Sequence, residues 1–255
     1  MNIIALIQAR YDSTRFPNKV ITDIEGKPEI IRVINRVQKS KCIDDIVVVT
    51  SIEKSNLSIV KICAENSIRV FVGSENDVLD RYYQCAKLLK TDYIVRITAD
   101  CPVLDWRYLD EAVKIVRNNP GIDYLSDLDE TFPDGLDIEI IKFSKLAEMW
   151  EKAKLSSERE HVTMYIKNNK NNYNIYNYPC PIKDISHHRW TFDEKEDYEL
   201  IKNIYVFFNS IDKENFVTED ILTYLERNPE VMQINSMYSR NMGLQKSLKE
   251  DKIMI

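Results

Sequence analysis

The feature that most limits how this chain can fold is an alternation. Up to Asp100, short β-branched runs at 3–8, 45–50, 69–72 and 93–98 take turns with segments of helical period at 28–39, 54–66 and 77–89. That pattern calls for a parallel sheet covered by helices. It predicts a βαβαβαβ opening, with Pro28 in the first turn of the first helix and Ser74 or Asn76 capping the third. Beyond Asp100 the alternation loosens. Helices are expected at 106–118, 144–154, 157–167, 195–209 and 218–228, with short strands at 123–126, 136–141 and about 187–191, which makes the sheet mixed. No Ser/Gly-rich linker or internal repeat interrupts residues 1–235, so they read as one α/β domain. The polar tail, 236–255, lacks a strong period and reads equally as a partner arm or a frayed end.

Composition narrows the function. With 255 residues and 44% apolar content the chain can bury one sizeable core. A formal charge of −6 argues against a uniformly basic nucleic-acid surface, although a local basic cluster could still hold a phosphate chain. The five cysteines are an odd number with no CxxC pair, so buried reduced thiols are expected rather than disulfides or a zinc site. No run approaches the roughly 20 apolar residues of a membrane helix, and the apolar run 3–7 is too short for a secretory signal. A cytoplasmic protein, with no membrane partner, is the expectation.

Open α/β sheets bind ligands beyond the carboxyl ends of their strands. There, residues 8–19 read Gln-Ala-Arg-Tyr-Asp-Ser-Thr-Arg-Phe-Pro-Asn-Lys. Arg10, Arg15 and Lys19, with the hydroxyls of Ser13 and Thr14 and a run of backbone N–H groups, could wrap a triphosphate without glycine; a solvated basic loop is the plainer alternative. A dinucleotide turn is disfavoured, because the only glycines before residue 100 are Gly26 and Gly73. Asp100 follows the run 93–98 and Asp193 follows 187–192. Each reads as a metal carboxylate or as a local cap. In Phe132-Pro133-Asp134-Gly135-Leu136-Asp137-Ile138-Glu139, the acids 137 and 139 would share one face of a strand, solvated or aimed at a ligand's hydroxyl or amino groups. His187 and His188, neighbours on a strand, would face opposite ways and not share an ion.

The string Gln-Ala-Arg-Tyr-x-Ser-x-Arg-Phe-Pro-x-Lys, followed by Gly26-Lys27-Pro28, resembles the opening of the CMP-sugar synthetases, cytidylyltransferases acting on 3-deoxy-manno-octulosonate and on sialic or pseudaminic acids. The string at 132–139 is closest to their branch named for spore-coat polysaccharide biosynthesis. The resemblance runs from about residue 1 to 228. It implies a three-layer α/β/α, Rossmann-like nucleotidyltransferase fold of the GT-A-like kind, with an acceptor and dimerisation insert near 127–190, and a homodimer. It places Ala9, Arg10, Ser13, Arg15 and Lys19 in the phosphate loop, with Arg10, Lys19 and Asp100 as the catalytic set and Mg²⁺ on Asp100 and Asp193. It sets Ser74, Asp77 and Arg81 over base and ribose. Asp134, Asp137, Glu139, His161 and Arg189 would surround the acceptor, His161 and Arg189 holding its carboxylate. The implied reaction moves CMP from CTP to a small hydroxylated acceptor, by default a 2-keto-3-deoxy sugar acid, with release of pyrophosphate; cytosine specificity comes from the resemblance alone.

Thr98 stands where the octulosonate enzymes carry glutamine, 134–139 replaces their acceptor-side sequence, and Glu194-Lys195 replaces a Thr-Pro pair after Asp193. The first two leave a phosphonate, a polyol or another hydroxylated acid open as acceptor. Two rivals remain at this point: a glycosyltransferase of the same fold, which would ordinarily carry Asp-x-Asp where this chain has Thr98-Ala99-Asp100, and a non-catalytic nucleotide-binding regulator.

Overall fold

The computed structural model describes residues 1–13 and 15–253. In chain order its elements are β1 (Ile3–Gln8), β2 (Asp23–Ile24), β3 (Lys27–Pro28), α1 (Glu29–Val37), β4 (Asp45–Ser51), α2 (Leu57–Glu65), β5 (Arg69–Gly73), α3 (Val78–Leu89), β6 (Tyr93–Thr98) and α4 (Trp106–Asn118). There follow β7 (Tyr124–Ser126), β8 (Glu139–Lys142), α5 (Phe143–Lys152), α6 (Ser156–Glu160), α7 (Met164–Asn168), β9 (Ile175–Asn177), α8 (Lys195–Ser210), α9 (Thr218–Arg227), α10 (Pro229–Met232) and α11 (Met242–Lys249). The large sheet has the order β5-β4-β1-β6-β8-β7-β9. β1, β4, β5 and β6 are parallel, β8 runs against both its neighbours, and β9 is parallel to β7, so the sheet is mixed as expected.

β1 is apolar throughout because both of its faces are covered. Ile3, Ala5 and Ile7 pack with α1, α4 and α8 through Ile34, Val113 and Ile201; Ile4 and Leu6 pack with α3, α5 and α7 through Tyr82, Leu146 and Ile166. The result is three layers, helices on each side of the sheet, each buried aliphatic side chain contributing about 1.5–3 kcal/mol relative to exposure. The five thiols are unpaired, four of them buried and Cys42 half-buried. No helix among the described residues is long and apolar enough to cross a membrane.

Five sequence expectations need correction. The cap of α3 is Asp77, whose carboxylate accepts from the Asp80 amide at 2.8 Å; Ser74 acts one step earlier, its hydroxyl accepting from the Asp77 amide at 3.1 Å. The helix expected over 157–167 breaks into α6 and α7, because Val162 enters the left-handed region (φ 50°) to bury its side chain completely. The strand expected about 187–191 is an extended segment with one isolated bridge, Arg189 to Asp134. There the rings of His187 and His188 lie 4.1 Å apart, so the opposite-face argument does not hold. Finally, β8 begins only at Glu139, leaving Asp137 in the loop before it.

The tail crosses the carboxyl-end face of the sheet. Tyr238 donates to Glu196 at 2.8 Å, Arg240 reaches the Phe132 carbonyl at 2.7 Å, and the Asp251 carboxylate takes the Ser157 amide at 2.9 Å and the Ser156 and Ser157 hydroxyls at 3.0 and 2.7 Å.

Candidate active site

The loop after β1 is tied down at both ends. The Ala9 amide donates to the Val49 carbonyl (3.1 Å), the Tyr11 amide to Asn56 Oδ1 (2.8 Å) and the Ser55 hydroxyl to Asp12 (2.7 Å). At the far end the Phe16 ring packs on Phe192, centroids 5.1 Å apart. Asn18 adopts a left-handed conformation (φ 62°) and the next residues form a short 3₁₀ turn that turns Lys19 inward. Thr14 lies outside the described residues.

Lys19 Nζ lies 3.0 Å from Asp100 Oδ2 and 2.5 Å from Asp193 Oδ1, and Arg15 reaches Asp193 Oδ2 at 2.7 Å. Burial by itself would raise the Asp100 carboxyl, but Lys19 and a hydrogen bond from Thr98 hold it down at about 2. Burial works against the Lys19 charge too, yet Asp100 and Asp193 outweigh it and raise the ammonium above its usual range. Glu29, at the start of α1, is fully buried with neither carboxylate oxygen hydrogen-bonded; desolvation pushes it well above the carboxylate range, against the pull of Lys19.

Asp193 is seated by backbone. The Phe192 amide and the Thr191 hydroxyl both donate to the Asp100 carbonyl, at 2.9 and 3.2 Å, fastening one carboxylate segment to the other. Asp193 does not cap α8. The amides of Asp193 and Glu194 go instead to Asp197 Oδ2, at 3.0 and 2.9 Å, which leaves the Asp193 carboxylate to Lys19 and Arg15, with Arg189 Nη2 farther off at 3.9 Å.

Two cavities meet at these carboxylates, sharing Arg15, Thr98, Asp100 and Asp193 as walls. One, of about 360 Å³, is lined by Ala9, Arg10, Ser13, Arg15 and Lys19. The other, of about 280 Å³, is lined by Asp134, Asp137, Glu139, His161 and Arg189. The structure therefore gathers the phosphate-loop residues around one hollow and the five acceptor candidates around the next. Arg10 sits at a rim, 3.8 Å from Glu160, both about half exposed and contributing little to stability.

Ser74, Asp77 and Arg81 line neither cavity. Arg81 is buried, its Nε and Nη2 donating to the Ser74 carbonyl at 2.9 and 2.6 Å, so it braces the β5–α3 turn from inside; Glu75, from the same turn, is the residue that reaches the larger cavity. Arg189 is also committed. It forms a fork with Asp197, at 2.9 and 2.7 Å, and meets Asp134 at 2.7 Å. Burial drives the Asp134 carboxyl up to about 7, against Arg189.

Sequence reading missed Arg96, Lys167 and Arg240, all of which line the smaller cavity. Arg96 had left a signal, as the one charge in the otherwise uncharged run 93–98. Gly135 is required by close approach. Its φ is +103°, and a Cβ there would stand 2.6 Å from the Thr191 amide nitrogen and 2.7 Å from the Trp190 carbonyl carbon.

A crevice at the carboxyl ends of parallel strands, with a cationic loop closing on two carboxylates and a second polar cavity opening from them, defines a nucleotidyltransferase. The chain belongs to the cytidylyltransferase family, whose model matches residues 4–248, and it is a CTP-dependent nucleotidyltransferase. It is 36% identical over 238 residues to the uncharacterized protein MJ1063 of Methanocaldococcus jannaschii, covering 92% of this chain and 95% of that one. It is 31% identical to the spore coat polysaccharide biosynthesis protein SpsF of Bacillus subtilis, covering 90% and 96%. Among solved structures, a cytidylyltransferase from Leptospira borgpetersenii superimposes with a TM-score of 0.87 at 34% identity, over 94% of this chain and 100% of the other.

Proposed function

We propose that this enzyme transfers CMP from CTP to a small hydroxylated acceptor, a 2-keto-3-deoxy sugar acid, releasing pyrophosphate, in the building of a surface polysaccharide. The observation that carries the reading is Lys19 clasped by Asp100 and Asp193 where the two cavities join. The triphosphate lies along the larger cavity, with Arg10, Arg15 and Lys19 on the β- and γ-phosphates. The acceptor occupies the smaller one, so that its hydroxyl oxygen faces the α-phosphorus. As the acceptor O–P bond forms, the P–O bond to the β-phosphate breaks and the hydroxyl proton passes to solvent. The three cations stabilise the charge that grows on the leaving pyrophosphate. No covalent enzyme intermediate is needed.

The donor set fits Mg²⁺. Asp100 and Asp193 are hard oxygen ligands already converging on one positive charge, and Mg²⁺ commonly takes one or two carboxylates and completes its shell with phosphate oxygens and water. Among the described residues no group of three or more His, Cys, Asp or Glu could hold a metal by itself, which agrees with a shell shared with the nucleotide. Bound there, the ion would supply charge to offset the triphosphate. Following the resemblance, the enzyme works in the cytoplasm as a homodimer, without nucleic-acid or membrane partners.

The test is pyrophosphate release with CTP, UTP, ATP and GTP plus Mg²⁺ against sugar acids, phosphonates and polyols, with Asp100→Asn as control. Release with CTP and a sugar acid, lost in the variant, is the expected result. Sugar transfer from an intact sugar nucleotide, or tight CTP binding without turnover, would replace this reading with the glycosyltransferase or the regulator.

A further inference from the structure

Arg96 enters the sheet from β6 directly across from Glu139 of β8, the two being register partners, and its Nη1 lies 2.6 Å from Glu139 Oε2. Glu139 is nearly inaccessible and is fully subscribed. Its other oxygen takes the Tyr124 hydroxyl and the Thr163 hydroxyl (2.8 Å) and lies 3.0 Å from Lys167 Nζ. Of the four donors around this carboxylate, three crowd onto Oε1 and one meets Oε2. Two cations thus share one anion. Arg240, brought in by the tail, adds another cation against Asp137, its Nη1 held by the Phe132 carbonyl at 2.7 Å.

On this wall three positive charges face two negative ones. Donors are also to spare: Arg96 Nε is buried without an acceptor, and Lys167, 42% exposed, uses one of its three protons on Glu139. The cavity's remaining cations are committed, Arg189 to Asp197 and Asp134, and Arg15 to Asp193. Asp134, paired with Arg189, and Asp127, spent on the Phe132 amide (2.8 Å) and the Thr131 hydroxyl (3.0 Å), line the same hollow. The hollow therefore offers spare cationic donors beside carboxylates that already have their own partners. That suits a molecule with an anionic head and a hydroxylated body.

We propose that Arg96, Lys167 and Arg240 form the subsite that grips the acceptor's carboxylate, with the tail supplying the third cation; this rests on the cytidylyl-transfer reading above. Arg189, which the resemblance set beside His161 for that task, serves instead to hold Asp134 and Asp197 in place.

Pyrophosphate release is measured with CTP and a 2-keto-3-deoxy sugar acid, with its methyl ester in parallel, for the unaltered enzyme and for Arg96→Gln, Lys167→Gln and Arg240→Gln. The acid's KM is expected to rise roughly ten- to hundredfold in each variant, as loss of a charge-assisted hydrogen bond requires. The KM for CTP should stay unchanged, and the preference for acid over ester should collapse. Arg96→Gln strips Glu139 of a partner; where it fails to fold, Lys167→Gln, at a side chain 42% exposed, and Arg240→Gln, on the tail, carry the test. Preference for the acid retained in both of these overturns the proposal. Calorimetric binding of acid and ester without nucleotide separates the two readings. A chain that releases no pyrophosphate yet binds the acid about tenfold better, through these residues, keeps the subsite and loses the reaction. One that turns over acid and ester with the same KM keeps the reaction and loses the subsite.

Discussion

Lys19 lies between Asp100 and Asp193 as their shared counter-ion, 3.0 Å from one carboxylate and 2.5 Å from the other. Removing it leaves Asp100 without its cation and Asp193 with Arg15 and the more distant Arg189, in a largely buried place. Lys19→Met should lower stability by about 3 kcal/mol in denaturant unfolding. Millimolar Mg²⁺ should raise the Tm of this variant more than that of the unaltered protein, because the ion then replaces the missing charge. No shift in either protein would mean that the pair does not bind the metal.

Asp100→Asn keeps the shape and removes the charge. The turnover number should fall by about 10³-fold, the scale of losing one preorganised electrostatic group, while circular dichroism stays that of the native fold. Activity within about tenfold of normal would exclude Asp100 from the reaction centre.

Gly135 has no room for a side chain. Gly135→Ala must displace the Trp190–Thr191 backbone and adopt an unfavourable φ, a loss on the order of 3 kcal/mol. That backbone leads into Asp193, so kcat should fall along with stability. An unchanged Tm would show that the approach is looser than 2.6 Å.

His188 gives a pH signature. Burial, aided by His187, lowers its imidazole from 6.5 to about 4. Between those values the unfolded chain holds a proton that the folded one does not, so stability rises with pH across this window and is lost on acidification toward pH 4. The slope is at most about 1.4 kcal/mol per pH unit. His188→Gln should flatten it in urea titrations at pH 4 to 6.5, and an unaltered slope would assign it to other groups.

Asp251 fastens the tail to the start of α6. Asp251→Ala should make residues past 236 more sensitive to limited proteolysis and raise the KM for the acceptor while that for CTP holds. A tail as resistant as before would show that the fastening lies elsewhere.

Much of this was legible because the physics is local. β1 and β6 fall where their apolar runs fall, since strands covered on both faces are apolar along most of their length. The phosphate loop shows in its cations. Other features depend on distant partners. Val162 breaks a helical period because the core claims its side chain, and Thr163 turns its hydroxyl to Glu139. Ser74, Asp77 and Arg81 look like ligand contacts until the turn they build is seen to use them. The tail has no period to detect, its partners lying as far as 111 residues away, as Glu130 does from Asn241.

A ribosome releases this chain in one direction, and the reaction centre is not written in that order. Lys19 precedes Asp100 by 81 residues and Asp193 by 174. During synthesis the phosphate loop and its first carboxylate emerge well before the second, and the tail that walls the neighbouring hollow emerges later still. A product interrupted between residues 100 and 193 would carry Lys19 and one of the two carboxylates it joins, without the other.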